Sequence, residues 1–299
     1  MPHADASAPH LPRILHDIAI SVVAPAHNEQ ENIEELVDQV GAALARTGLS
    51  HEFVIVDDGS TDRTRARIEE LMATRPWLRC IAMQRTPPGK GNGQSAAFHA
   101  GFRAARGAHI ATLDADLQND PGDLPAMLEH MRAAGADMVQ GDRSHARRDS
   151  LVRRAGSVVG RKVRLWLLGD SIRDTGCSLR VMRREIALGL PLEFKGMHRF
   201  IPVTARHLGF KVVEMRVNHR PRTAGETKYG RGITKRAIPG LIDLLAVRYM
   251  RGRRRPVGSV EMPSRAVDVG SPTHPGEALS SPAQPVTVAR PPATSGAGA

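Results

Sequence analysis

The chain alternates short apolar runs with segments in which apolar residues recur every three or four positions. The first run, IAISVVAPAHN at residues 18–28, ends in a proline and polar groups and predicts a buried strand. Residues 29–44 then show helical spacing at Ile33, Leu36, Val37, Val40 and Leu44. Asn28, with Glu31 three residues on, predicts a capping box at the start of this helix.

The same alternation continues to residue 143. Further strands are predicted at 51–60, 78–84, 109–116 and 137–143, and further helices at 61–73, 95–105 and 121–134. Strands that alternate with amphipathic helices predict an α/β fold, a Rossmann-like, mostly parallel sheet with helices on both faces.

The pattern changes after residue 141. A basic loop and helix, then a short strand with a helix at 174–190, then a strand at 210–222 are predicted. Helical spacing in 238–250 places Ile238, Leu241, Ile242, Leu245 and Tyr249 on one face. The predicted divisions are a flexible leader at 1–17, the α/β domain at 18–232, an amphipathic interfacial helix with a basic segment at 233–255, and a disordered Pro/Gly-rich tail at 256–299.

Composition limits the class of partner. The 299 residues carry 42 Lys and Arg against 31 Asp and Glu, a formal charge of +11, which favours anionic partners. Aromatic residues make up only 3%, which argues against stacking on single-stranded nucleic acid. Two distant cysteines form neither a disulfide framework nor a zinc pattern. Without a signal peptide or a membrane-spanning run, we expect a cytoplasmic protein at the inner face of the membrane.

Polar residues that could take part in a reaction follow the predicted strands. They lie at the carboxyl ends of the strands, where open parallel sheets bind ligands. Asp57 and Asp58 close the second strand, and Asp114 and Asp116 close the fourth. Two carboxylates at positions i and i+2 of an extended chain project to one side and repel each other unless a cation lies between them. Turn chemistry is the simpler explanation for such residues, and helix capping explains Asn28, Ser60 and Thr61 equally well.

Glycine-rich and basic segments offer candidate phosphate sites. The loop GKGNGQ at 89–94 could cradle a phosphate or be a plain connection, and it matches neither the Rossmann nor the P-loop motif. Arg143 closes the fifth strand and suits bidentate phosphate recognition. The later loop at 219–230 adds Arg220, Arg222 and Lys228. For the scattered residues His27, His99, His198 and His219, a structural role is expected.

Five segments, in order, give the chain a family resemblance: VVAPAHNE, VDDGSTDRT, LDADLQNDP, DTGCSLRVMRRE and NHRPRTAGETKYG. Together they resemble family 2 glycosyltransferases of the GT-A fold, over residues 18 to about 250. The branch they resemble, typified by dolichol-phosphate mannosyltransferase, transfers a sugar from a nucleotide sugar to a polyprenyl phosphate.

The resemblance implies a role for each matching residue. Asp114, Asp116 and Gln118 would bind Mg²⁺ or Mn²⁺, and Asp116 with Arg143 and Arg153 would be catalytic. The nucleotide pocket would hold Pro25, His27, Glu29, Asp57 and Asp58. The acceptor phosphate would meet Arg143, Arg153 or Arg154, and Ser157, and the donor diphosphate would meet Arg222 and Lys228. A membrane-protein partner or surface adsorption would bring the enzyme to its lipid.

Residue chemistry agrees with this implication. A phosphate monoester is largely a dianion at neutral pH and attacks without a general base, so arginines suffice to position it. A polysaccharide or other hydroxyl acceptor would need a base, for which Asp142 and Asp174 are candidates. The remaining alternatives are a nucleotidyltransferase, a lipid-binding scaffold and a basic nucleic-acid-binding protein. The last is disfavoured because acidic strand ends would repel the nucleic-acid backbone.

Overall fold

The computed structural model describes residues 18–87, 89–145, 151–221 and 233–255, with side chains in all of these except 151–159 and 233–238. Strands in these ranges are β1 (Ile20–Ala26), β2 (His51–Asp57), β3 (Leu78–Ala82), β4 (His109–Thr112), β5 (Met138–Asp142), β6 (Arg180–Arg183) and β7 (Val212–Arg216). Helices are α1 (Ile33–Ala45), α2 (Thr64–Met72), α3 (Gln94–Ala104), α4 (Leu124–Ala133), α5 (Leu151–Leu168), α6 (Arg184–Leu188), α7 (Ile201–His207) and α8 (Ile233–Arg253). Short 3-10 turns occur at Pro121–Asp123 and Met197–Phe200.

The strands form one sheet in the order β3-β2-β1-β4-β6-β5-β7. All neighbouring pairs are parallel except those of β6, which runs antiparallel to both β4 and β5. The predicted mostly parallel α/β sheet is therefore confirmed. The domain divisions stay a prediction, since the unit Arg255–Ala299 lies almost wholly outside the described residues.

Alternating side chains of the central strands build a core on each face of the sheet. Val22 and Ala24 of β1 face a core that includes side chains of α1, α2 and α4. Val23 between them faces the other core, which includes side chains of α3, α5, α6, α7 and α8. Both faces of the strands are buried, which is why they read as continuous apolar runs.

The predicted helix caps are wrong. Helix α1 begins at Ile33 with Asn32 as its N-cap residue, so Asn28 and Glu31 do not form a capping box. The Asn28 side chain instead accepts a hydrogen bond from the Thr61 backbone N–H at 2.8 Å. Ser60 accepts one from the Asn28 N–H at 3.0 Å. These residues brace the loops after β1 and β2 against each other, a contact between distant segments.

The apolar face predicted for residues 238–250 is exposed. Leu241, Ile242, Leu245 and Tyr249 are 50–68% exposed, whereas Leu244 and Val247 of the same helix are buried in the core. Helix α5 adds Leu165 and Trp166, which are 52% and 81% exposed. We call these six exposed residues of α5 and α8 the interfacial surface. In the described part of the chain, no helix is long and apolar enough to cross a bilayer.

Candidate active site

Sheet register brings the loops after β1, β2, β4 and β5 to one edge. Val23 of β1 pairs with both Val54 of β2 and Thr112 of β4. Across β6, Arg180 pairs with Thr112 on one side and Gln140 on the other. Asp114 and Asp142 each follow this row by two residues, Asp142 as the last residue of β5 and Asp114 in the loop after β4. Polar residues that are far apart in sequence thus share one edge.

Asp57 ends β2 and is fully buried. Its Oδ2 accepts a 2.7 Å hydrogen bond from Arg65 Nε, and its Oδ1 accepts one from the Ser60 N–H at 3.0 Å. A buried carboxylate needs such partners to stay ionised. Two other residues predicted for the pocket lie near Asp57 at the end of the neighbouring strand β1. They are Pro25, within the strand, and His27, directly after it.

Hydrogen bonds hold the remaining pocket residues. His27 Nδ1 lies 2.8 Å from the backbone oxygen of Asp58. The Glu29 N–H donates to Thr64 Oγ1 at 2.8 Å, and the Glu29 carboxylate accepts from Asn32 Nδ2 at 2.8 Å. The structure thus brings together the five residues predicted for the nucleotide pocket at the ends of β1 and β2.

The glycine-rich loop after β3 is already occupied by a protein carboxylate. Asp58 accepts hydrogen bonds from the N–H groups of Asn92 at 2.8 Å and Gly93 at 2.6 Å. Gly91 has φ +62°, and an added Cβ there would lie 2.5 Å from Asp58 Oδ2. These two N–H groups donate to Asp58 and are therefore not available to bind a phosphate. The loop supports the Asp58 side chain instead.

Asp114 and Asp116 lie in a turn after β4, which ends at Thr112. The prediction that they extend the strand is wrong, because the chain leaves the sheet and enters the left-handed region at Leu117, with φ 61°. Asp114 Oδ1 accepts from Gln94 Nε2 at 2.6 Å, and Asp116 Oδ1 accepts from the Gln118 N–H at 3.2 Å.

The two carboxylates nevertheless affect each other. Burial raises the pKa of Asp114, and the charge of Asp116 raises it further. A hydrogen bond to Ser178 and the charges of two nearby arginines act in the opposite direction on the pKa. Ionisation of Asp114 is therefore disfavoured in the folded protein, an imbalance that an added cation would reduce.

This imbalance fits a divalent cation. Two carboxylates with unfavourable mutual repulsion are suitable ligands for a hard ion such as Mg²⁺ or Mn²⁺. Among the described residues, no cluster of three or more His, Cys, Asp or Glu side chains forms a complete cation site. An ion at Asp114 and Asp116 would take its other ligands from Gln118, a substrate phosphate or water.

Arg143 directly follows β5 and is buried. Its Nε and Nη2 donate to Asp174 at 2.9 and 3.3 Å. Burial by itself lowers the pKa of Arg143, but the hydrogen bond to Asp174 and nearby charges, including that of Asp114, raise it overall. The guanidinium is thus a permanent cation near the acidic pair.

The segment that carries these residues matches a known family model. Residues 21–189 match the model described as glycosyl transferase family 2. The chain belongs to glycosyl transferase family 2. The predicted resemblance to this family is confirmed, and the enzyme is a glycosyltransferase.

Curated relatives of this glycosyltransferase carry names that specify polyprenyl phosphates. It is 36% identical over 252 residues to dodecaprenyl-phosphate galacturonate synthase of Rhizobium johnstonii, covering 81% of this chain and 70% of that protein. It is 36% identical over 211 residues to undecaprenyl-phosphate 4-deoxy-4-formamido-L-arabinose transferase of Edwardsiella ictaluri. That match covers 71% of this chain and 63% of the relative, so the chain spans less than two thirds of that relative's length.

A solved structure shares the fold. Glucosyl-3-phosphoglycerate synthase from Mycobacterium tuberculosis, in a complex with Mn²⁺, UDP and phosphoglyceric acid, superposes with a TM-score of 0.58. Sequence identity is 22%, and the match covers 77% of this chain and 78% of the other. The predicted GT-A fold is confirmed by this likeness.

One buried residue near Asp114, Arg180, is not among the residues that the sequence predicts for the site. Arg180 of β6 is 2% exposed; its Nε donates to Gln140 Oε1 at 2.8 Å, and its buried Nη1 has no hydrogen-bond partner among the described residues. Burial lowers the pKa of Arg180 to about 10. Arg180 lies in one of the segments that carry the family resemblance, but only the sheet order places it beside Asp114.

A buried contact of His198 lies at the start of α3. Ser95 follows Gln94, the residue that donates to Asp114, and its Oγ lies 2.8 Å from His198 Nδ1. Burial lowers the pKa of His198 to about 3, so this imidazole is neutral at physiological pH. Its hydrogen bond to Ser95 agrees with the structural role expected for it.

The other predicted site residues cannot be compared with this geometry. Arg153, Arg154 and Ser157 have backbones in α5, but their side chains lie outside the described residues. Arg222 and Lys228 lie outside them altogether. Their roles therefore stay predictions.

Proposed function

We propose that this enzyme transfers a sugar, with inversion at the anomeric carbon, from a nucleotide sugar to a polyprenyl phosphate. The donor would be GDP-mannose or a UDP-sugar, the acceptor a dolichyl or undecaprenyl phosphate, and the cofactor Mg²⁺ or Mn²⁺. The observation that carries the proposal is a buried arginine, Arg143, whose charge acts on Asp114 of the acidic pair. The names of the relatives support the same acceptor class.

The acidic side of the site suits the donor. Asp114 and Asp116 would bind the cation that accompanies the nucleotide diphosphate, with Gln118 close by. When bound, such a cation neutralises the negative charge that develops on the departing diphosphate. The residues at the ends of β1 and β2, Asp57 among them, would bind the base and ribose.

The basic side suits a phosphate acceptor. Arg143 would hold the acceptor phosphate so that one of its oxygens attacks the anomeric carbon in line with the leaving diphosphate. That oxygen carries no proton to remove, so no general base is needed. Asp174 accepts from the Arg143 guanidinium and Asp142 accepts from the Ser144 N–H at 2.8 Å, which makes both poorly suited to the role of base that a hydroxyl acceptor requires.

The interfacial surface suits access to a lipid. It combines the exposed Trp166 of α5 with the exposed apolar face of α8, and Arg248 Nη1 joins the two helices by donating to the Leu167 oxygen at 2.8 Å. Exposed Arg161, Lys162 and Arg253 lie on the same two helices. Apolar side chains flanked by cations favour adsorption to an anionic membrane surface, here the inner face of the cytoplasmic membrane. A membrane-protein partner is the alternative.

One assay tests the function. The protein is incubated with UDP- and GDP-sugars, Mg²⁺ or Mn²⁺ and undecaprenyl phosphate, and glycolipids are identified by mass spectrometry. We expect one sugar to be transferred to the phosphate. Undecaprenol, which lacks the phosphate, is the control acceptor. Transfer to undecaprenol or to a polysaccharide, with none to undecaprenyl phosphate, would favour the hydroxyl-acceptor alternative.

A further inference from the structure

The acidic pair lies in residues 114–120, which we call the D-x-D loop. Residues 218–221, which we call the brace, cross this loop. The Arg220 N–H donates to the Gln118 backbone oxygen at 3.0 Å. Beside it, Asn119 and His219 form an isolated antiparallel bridge. The brace thus contacts the backbone of the D-x-D loop directly after Asp116.

The Arg220 guanidinium connects this loop to α1. Its Nη2 lies 2.7 Å from Asp120 Oδ1, and its Nη1 donates to Gln39 Oε1 at 2.7 Å. The Asp120 side chain is only 17% exposed, although that of Arg220 is 40% exposed. One side chain therefore joins three segments that are distant in sequence.

A second attachment lies next to this ion pair. The Asn218 N–H donates to Asp123 Oδ2 at 2.7 Å, and Asn218 Nδ2 is 3.3 Å from Asp123 Oδ1. The brace is therefore attached through Arg220 to the D-x-D loop and through Asn218 to the segment that follows it.

The D-x-D loop needs such support. Leu117, between Asp116 and Gln118, has φ 61°, a left-handed conformation that costs a residue other than glycine about 1 kcal/mol or more. Its side chain is 7% exposed and belongs to the core. The loop therefore holds its polar residues in an unfavourable backbone conformation that surrounding contacts have to maintain.

We propose that Arg220 is a positioning residue, whose ion pair with Asp120 keeps the D-x-D loop in the conformation that binds the cation of the donor complex. The inference rests on the proposed function. Arg220 would not touch the cation and would act through the loop backbone at Gln118. Outer residues of this kind typically change metal affinity 10- to 100-fold.

The test measures Mn²⁺ affinity instead of turnover. Free Mn²⁺ is followed by electron paramagnetic resonance while the full chain is titrated, with UDP or GDP present. Arg220→Met should weaken Mn²⁺ binding about 10-fold. Asp120→Asn, which keeps an oxygen for the Gly122 N–H, should weaken it by a similar factor. The double variant should be no weaker than either single variant, because all three lack the same ion pair.

Two controls separate positioning from general damage. Arg46→Met removes a neighbouring guanidinium that donates to the Gly122 oxygen at 3.3 Å but does not touch the D-x-D loop, so Mn²⁺ affinity should not change. Arg220→Lys keeps the charge and should restore part of the affinity. Melting temperatures of all variants should stay within about 3 °C of wild type, since the ion pair is partly exposed.

The outcomes are distinguishable. If wild type binds Mn²⁺ and Arg220→Met binds it equally well, the positioning role is refuted while the proposed function stands. If the effects of the two single variants simply add, the ion pair is not the cause and the inference fails. If wild type binds no Mn²⁺ with either nucleotide, the proposed function falls and this inference falls with it.

Discussion

Replacing Arg143 with methionine should separate two roles of this side chain, neutralisation of Asp174 and recognition of a phosphate. The guanidinium and the carboxylate are both buried, with side chains 9% and 1% exposed, and they share hydrogen bonds at 2.9 and 3.3 Å. Methionine replaces the apolar stem of the arginine side chain and removes its charged group. Any effect on activity must therefore be distinguished from an effect on folding.

The stability effect follows from burial. Removing one partner of a buried ion pair leaves an uncompensated charge, which typically costs about 3 kcal/mol or more in the free energy of unfolding. In the double variant Arg143→Met with Asp174→Asn no such charge remains. The N–H groups of residue 143 and Gly176 donate to different oxygens of Asp174, so an asparagine, with one side-chain oxygen, can still accept only one of these two hydrogen bonds. Most of the lost stability should then return, leaving a deficit of about 1 kcal/mol.

The activity toward the acceptor should not be restored in the double variant. A hydrogen bond from a charged group contributes about 1.5–3 kcal/mol, which corresponds to a roughly 10- to 150-fold loss in kcat/KM for the polyprenyl phosphate. The KM for the nucleotide sugar should change by less than about twofold, because Arg143 lies on the acceptor side in the proposed mechanism.

The assay combines urea unfolding with initial rates at varied acceptor and varied donor. The proposed role predicts that the double variant regains stability while its acceptor kcat/KM stays low. If the double variant recovers both, Arg143 serves only to neutralise Asp174. Equal losses for donor and acceptor would contradict its placement on the acceptor side.

Three further predictions concern the acidic pair and the interfacial surface. Asp116→Asn should lower turnover about 100-fold or more with an unchanged circular dichroism spectrum; undiminished turnover would contradict a role in cation binding. Asp114→Asn should raise the melting temperature at pH 7 in EDTA, because the folded-state pKa of Asp114 is raised and its ionised form opposes folding. The difference in melting temperature should disappear below about pH 4, where Asp114 is protonated in the folded and in the unfolded state. A higher melting temperature at every pH would contradict the raised pKa. Trp166→Ser should weaken binding to phosphatidylglycerol vesicles about 10-fold in co-sedimentation, whereas Trp77→Phe, in a residue that packs against the other core, should not; equal effects would place the contact elsewhere.

The sequence was most informative where local pattern decides the structure. Strands buried on both faces appear as continuous apolar runs, and helices with one buried face show three- and four-residue spacing. Both signals are clear from residue 18 to residue 143, and the strands and helices predicted there are present, with ends that differ by up to four residues. The exposed apolar face of α8 was also visible, although its partner residues in α5 were not.

Sequence pattern failed where distant segments meet. Asn28 was assigned to a helix cap because Glu31 follows it at the right spacing, but its real partner is Thr61 in another loop. The glycines at 91 and 93 suggested a phosphate cradle, but Asp58 takes the hydrogen bonds. In both cases the correct partner lies more than 30 residues away, beyond the reach of a local motif.

The short strand predicted in 174–190 is present as β6, but its antiparallel direction and its place in the sheet could not be read from the sequence, and the charge balance of the site depends on them. Strand β6 inserts between β4 and β5 and brings Arg180 level with Thr112, two residues before Asp114. In the described residues Arg180 hydrogen-bonds only to the neutral oxygens of Gln140 and Thr175, yet with a pKa of about 10 it stays charged at neutral pH. A buried cation without a directly bonded carboxylate is costly unless negative charge lies near it. Asp114 and Asp174 both supply such charge, so Arg180 keeps one carboxylate nearby when Asp114 is neutral, and Arg180 in turn lowers the pKa of Asp114. Two buried cations of the protein, Arg143 and Arg180, therefore act on Asp114, and a divalent ion bound by the acidic pair would add a further positive charge.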